Sequence, residues 1–225
     1  MPTATVNATL QGRVFYSLSA GLINWTAQVR DASTGSVANT YTTNSTVGGA
    51  ITTYLITSRS GVQGFCGRVF LFFDNLDAAT AGNTITAATL KVYNSSSANT
   101  INTIAVEASA WGGNGTTTTL STSDYSNLDQ SIPYSPEDLS WGGGTYNDFV
   151  LNTTAIAAMN ADGYLNVAVI EGEHDYGNTN PTLNDLSESA SVRFNDPTNP
   201  IKLELTYTTG YGNSVINIPK ASIDS

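Results

Sequence analysis

Glu171, Glu173 and Asp175 alternate in the run Glu171-Gly172-Glu173-His174-Asp175. On an extended chain that spacing turns three carboxylates to one side. With Asp185 or Asp196 returning from nearby, such a row suits a hard cation such as calcium, which takes carboxylate oxygens. A solvated acidic strand end is the plainer reading, and no EF-hand spacing or nonapeptide repeat supports calcium. A second chemistry lies in the aromatics of one Gly-rich region, Trp111, Tyr125, Tyr134 and Trp141. Exposed, their faces would stack on pyranose rings and bind a glycan; packed down, they would pin a long loop onto the body. Glycoside hydrolysis needs two acids flanking one bond. Glu107, Glu137, Glu171 and Glu173 are the candidates, but no spacing sets two of them across a cleft. His174 reads as a surface histidine, and no G-x-S-x-G nucleophile motif occurs. Cys66 reads as a small buried hydrophobe. Arg68 is flanked by apolar residues, so it requires a carboxylate partner, with Asp74 and Asp148 as candidates.

The elements that position these groups are mostly strands. Phe65 to Asp74 is the most apolar stretch. Its alternation sets Val69, Leu71 and Phe73 on one face and Phe70 and Phe72 on the other, so the strand needs cover on both sides. Ile85 to Asn94 points Ala88, Leu90 and Val92 inward. Ile201 to Tyr207 does the same with Ile201, Leu203, Leu205 and Tyr207. Further strands are predicted at 13–18, 22–29, 54–57, 101–108, 146–151, 164–170 and 192–194. The one helix signal is Thr153 to Met159, with Asn152 or Thr153 as N-cap and Gly163 suited to a left-handed stop. About ten strands with turn residues between them describe an all-β fold, an antiparallel sandwich with one short helix.

The chain has 225 residues, 8 basic and 18 acidic, for a net charge of −10. That balance argues against nucleic acid and anionic membrane as partners. No apolar run approaches the ~18 residues of a membrane span. One Cys and one His leave no disulfide framework and no multi-His metal site. Thr, Ser and Asn make up 77 residues while charged residues are only 12%, a surface of extracellular character. No secretory signal opens the chain. A virion protein, made in the cytoplasm and released by lysis, reconciles the two.

Four segments together resemble the DNRLRE-type jelly-roll domains: Arg68 to Asp74, Asn83 to Tyr93, Phe149 to Thr154 and Pro200 to Tyr207. The resemblance covers roughly residues 65–208. The literal DNxLRE run is replaced by Glu188-Ser189-Ala190-Ser191-Val192-Arg193-Phe194. Domains of this type serve as carbohydrate-binding or adhesive modules and occur in phage appendages. The tail from Gly210 also looks like the C-terminal segments of some phage structural proteins.

The reading that follows has an N-terminal arm with strands joining the sandwich (1–60), a jelly-roll core (61–209) and an extended C-terminal arm (210–225). The expected function is a non-enzymatic structural or adhesive protein on a virion surface, such as a capsid decoration or a head or tail appendage. It would act by self-association into a cyclic oligomer, a trimer first, and by contact with other virion proteins. No cofactor is expected, calcium at Glu171, Glu173 and Asp175 being the one exception to test. The alternative is a carbohydrate-binding module of an extracellular protein, with a cell-surface glycan held by Trp111, Tyr125, Tyr134 and Trp141.

Overall fold

In a computed structural model the residues described are 1–19, 24–42, 51–60, 63–94, 101–139, 141–182 and 185–209, with backbone alone for 42, 51–60 and 185–190. The expected C-terminal arm, 210–225, lies outside them. Two antiparallel sheets form a β-sandwich. The smaller sheet has the order β1 (Thr3–Asn7), β12 (Lys202–Tyr207), β6 (Ile85–Asn94), β9 (Thr145–Val150). The larger follows β11 (Asp185–Phe194), β4 (Ile51–Ser60), β5 (Gln63–Phe73), β10 (Leu165–Glu171), β7 (Thr103–Ala108), β8 (Leu128–Pro133), with β2 (Leu10–Leu18) and β3 (Val37–Thr42) attached through β5. Among the described residues no helix is long and apolar enough to cross a membrane.

The centre of the larger sheet is β5. β2 pairs along 64–72 on one edge, while β4 takes 63–67 and β10 takes 69–73 on the other. Its two apolar faces enter two different cores. Val69, Leu71 and Phe73 point between the sheets, where they meet Ala88, Leu90 and Val92 of β6, Phe149 of β9, and Leu203 and Leu205 of β12. Phe70 and Phe72 point the other way, into a second core with Leu10, Trp25, Val29, Trp111, Leu120 and Tyr125. Irregular chain therefore roofs the outer face of the larger sheet, supplied by residues 24–32 and 108–128. Burial on both faces is what a strand apolar at every position requires.

A short helix, α1 (Leu76–Thr80), follows β5, and a longer one, α2 (Thr153–Asp162), follows β9. The Asn152 side chain caps α2 by accepting from the Thr154 and Ala155 amides at 3.0 and 3.1 Å. Gly163 ends it at φ 72°, and a Cβ there would sit 2.8 Å from Asp77 Oδ2. Ala155 and Met159 turn inward and close one end of the inter-sheet core. Residues 3–18 are integral to both sheets, since β1 pairs with β12 and β2 with β5.

Candidate functional site

Arg68 is a buried cation tied by four hydrogen bonds. Its Nε and Nη2 donate to the two oxygens of Asp175 at 2.9 and 2.6 Å. Nη1 donates to the Tyr125 carbonyl at 2.7 Å, and Nη2 also reaches the Arg30 carbonyl at 2.9 Å. The guanidinium carbon lies 4.1 Å from the Tyr125 ring centroid. Burial, the largest single influence, pulls the guanidinium down, but the Asp175 charge and hydrogen bonds together with neighbouring Tyr125 and Cys66 outweigh it and hold Arg68 above its ordinary value. Gln130 Nε2 donates to Asp175 Oδ1 at 2.8 Å, and the Tyr125 hydroxyl donates to the Val29 carbonyl at 2.9 Å. Beside them Cys66 is wholly buried; burial, with Asp175 alongside, pushes its thiol well up. A protonated, enclosed thiol is a packing group and not a nucleophile. Arg68 thus has the carboxylate partner that its setting demands, and the partner is Asp175 rather than Asp74 or Asp148. Asp148 instead pairs with Lys91 at 2.8 Å.

That finding also corrects the acidic row. Glu171 ends β10, and residues Gly172–Tyr176 close one wide helical turn instead of running on extended. The Glu171 carboxylate accepts from the amides of Glu173, His174 and Asp175. Asp175 turns inward to Arg68, while Glu173 faces solvent. The three carboxylates diverge, so they do not offer calcium a common set of oxygens. Among the described residues no group of three His, Cys, Asp or Glu side chains is placed to hold a metal. His174 is buried with its ring edge toward Trp25 at 6.5 Å, and its Nδ1 lies 3.1 Å from Thr179 Oγ1; it is not a surface residue.

The aromatics need the same correction. Trp111, Tyr125, Tyr134 and Trp141 are all buried. Trp111 packs edge-on to Phe70 at 6.4 Å, and Tyr125 lies under Arg68. Trp141 packs on Phe149 at 6.1 Å, and Tyr134 sits in the core between the sheets. None offers an open face to a sugar. They anchor the loop, because apolar rings on a Gly- and Thr-rich segment gain most by leaving water.

Two further features among the described residues are open to solvent and lie away from the Arg68 centre. A cavity of about 220 Å³ lies where the end of β7, the start of β10 and α2 meet, with Glu107, Tyr134, Asp162, Tyr164 and Asn166 in its wall. Burial, then the Glu107 and Asp162 charges, hold the Tyr134 phenol above its usual range. Of the acids considered for hydrolysis, Glu107 alone lines this cavity, and Asp162 joins it from the helix end. The second feature is the outer face of the smaller sheet. Lys91 pairs with Asp148 at 2.8 Å and Glu204 at 3.5 Å, and Lys202 pairs with Glu204 at 3.1 Å. Val150 is 64% exposed on the edge strand beside them. A concavity of about 390 Å³ runs over the small side chains Thr3, Thr5, Ala87, Thr89 and Thr206.

No family model matches the chain, and no curated protein matches it.

The Arg68–Asp175 centre joins β5, the segment around Arg30, the loop at Tyr125 and the turn after β10. It fastens the roof to the larger sheet. The cavity under α2 combines residues from three elements, and sequence spacing alone does not bring Glu107 near Asp162. No signal in the sequence marks it: the register of β10, which pairs Val167 with Glu107, is what brings the two elements together.

Proposed function

We propose that the protein is a non-enzymatic structural or adhesive component of a virion surface, a capsid decoration or a head or tail appendage, that acts by assembling with copies of itself and with other virion proteins. The observation that carries this reading is the outer face of the smaller sheet. Only three lysines occur in a chain of net charge −10. Two of them, Lys91 and Lys202, lie on this face, each paired with an acid. Among the described residues no layer covers it, whereas loops roof the outer face of the larger sheet. Copies carrying ten negative charges repel one another in general. This face is locally neutral, carries charges of both signs and leaves Val150 exposed, which suits a self-complementary contact in a closed oligomer. A trimer is the first symmetry to test.

The experiment is light scattering of the purified chain, beside mass spectrometry of purified particles and culture supernatant. Multimers of one defined size, and the chain in the particle fraction, are expected. Lys91→Glu with Lys202→Glu places four acids together and is expected to give a folded monomer. A wild-type chain that stays monomeric to about 100 μM, or that is found only in the supernatant, overturns the reading.

A further inference from the structure

We propose that a second copy of this chain docks its β8 edge against β3, head to tail, and brings its Asp129 to Arg13. This rests on the assembly reading and deepens it, adding a contact apart from the outer face of the smaller sheet.

Arg13 is the group that calls for a partner. Among the described side chains, Arg30, Arg68, Lys91, Arg193 and Lys202 each belong to an ion pair, and Arg13 belongs to none. Its Nε is enclosed without a hydrogen-bond partner. The guanidinium carbon lies 5.3 Å from the Phe15 ring centroid, and Phe15 stacks on Phe65 at 5.8 Å. Burial pulls Arg13 below its ordinary value, against the influence of Tyr41. A cation partly stripped of water and given no anion is a cost to the isolated chain.

Strand register locates the complement. Arg13 lies opposite Val69 on β5 and Asn39 on β3, so all three share the face toward the smaller sheet. At the other end of the same sheet Val167 lies opposite Glu107, and Glu107 lies opposite Asp129. Asp129 is exposed, and its Oδ1 accepts from the Ser131 amide and hydroxyl at 2.8 and 2.6 Å, which fixes the carboxylate on the edge. Neither Asp129 nor Glu107 belongs to an ion pair among the described residues. One face of one sheet therefore carries an unpaired cation beside one edge and unpaired carboxylates beside the other.

Among the described residues β3 pairs with β2 alone and β8 with β7 alone, which leaves each with a free edge. Each strand is six residues long. The path β3, β2, β5, β10, β7, β8 is antiparallel at every step, so its two ends run in opposite directions. A second copy that continues the sheet presents β8 antiparallel to β3, the strand addition that a free edge invites. With Asp129 of the second copy opposite Asn39, its Ser131 falls opposite Val37, which is 47% exposed. Asp129 then stands two strand spacings from Arg13, roughly 10 Å between backbones, a span that arginine and aspartate side chains close across Asn39. The two edges differ, so the contact is heterologous, the kind from which a ring of three is built.

The test is sedimentation velocity of the intact chain and its variants. Arg13→Asp and Asp129→Arg each set like charges across the contact. Each is expected to weaken self-association by roughly tenfold or more, with unchanged melting. An equimolar mixture of the two variants matches opposite charges at every contact and is expected to recover the larger species. The double change Arg13→Asp with Asp129→Arg in one chain is expected to do the same. Asp129 is exposed, so Asp129→Arg decides the matter even where Arg13→Asp lowers melting. Multimers that Lys91→Glu with Lys202→Glu dissolves but Asp129→Arg leaves intact overturn this contact and keep the assembly reading. Failure of both the mixture and the double variant to recover multimers also overturns it. A wild-type chain that stays monomeric overturns both.

Discussion

Arg68 and Asp175 stand 107 residues apart and meet in a two-pronged ion pair that is almost wholly shut off from water. Arg68 is on the central strand, and Asp175 is on the turn that Glu171 folds back beneath the roof of the larger sheet. Of the three remaining N–H groups of the guanidinium, one on Nη1 goes to the Tyr125 carbonyl and one on Nη2 to the Arg30 carbonyl, both in the roof. The pair therefore joins two layers that have no backbone ladder between them.

Breaking this pair from one side leaves a charge buried and alone. Asp175→Leu or Arg68→Met is expected to cost about 3–5 kcal/mol. The double change Arg68→Met with Asp175→Leu is expected to recover much of that loss, since an apolar pair of similar volume avoids the desolvation of both ions. Urea denaturation of the four proteins in a double-mutant cycle measures it. A double variant as unstable as the sum of the singles would show that the carbonyl contacts, and not the ion pair, hold the roof.

How far the sequence reveals this architecture depends on periodicity. β5 is legible because strict alternation forces Phe70 and Phe72 away from Val69, Leu71 and Phe73, and both sets are too apolar to face water. α2 is legible because Asn152 and Gly163 punctuate it chemically. The roof is not, because residues 24–32 and 108–128 have no repeat and only scattered large residues. Nor is the partner of Arg68, because an alternating acidic run reads as extended until the Glu171 carboxylate is seen to gather three amides and curl it. The cavity under α2 is invisible for a related reason: Glu107 and Asp162 belong to separate elements whose meeting is fixed by sheet register.

Burial of the loop aromatics makes a prediction that separates packing from recognition. Trp111→Ala removes a wholly buried ring from the second core and is expected to cost about 3–5 kcal/mol. Trp141→Ala acts in the same direction from the inter-sheet core. Thermal melting followed by circular dichroism reads both. Normal stability in either variant, with glycan retention lost, would return that tryptophan to the role of an exposed platform.

The Asn152 cap is open to a finer test. Asn152→Ala removes the acceptor for two amides and is expected to lower stability by about 1 kcal/mol. It also removes the donor to the Pro133 carbonyl at 2.6 Å. Asn152→Ser keeps a cap acceptor and loses that donor without adding a charge, so it is expected to fall between wild type and Asn152→Ala. A serine variant no better than alanine would assign the whole effect to the tie with Pro133.

Glu171 gives the protein a pH dependence of unusual sign for a carboxylate. Burial pushes its carboxyl up from 4.5 to about 7, against the pull of the three amides that it accepts from. Between those two values the folded chain holds a proton that the unfolded chain has released. Stability contributed by this group is therefore full below pH 4.5 and is lost as pH rises toward 7, by roughly 3 kcal/mol across the window. The comparison is with Glu171→Gln, which isolates this one group. That variant is less stable overall, because one face of its carboxamide presents N–H to backbone N–H, but it has nothing to titrate at this position. Urea midpoints taken from pH 5 to pH 8 should fall more steeply for wild type than for the variant. Parallel slopes would show that the amides keep Glu171 ionised throughout.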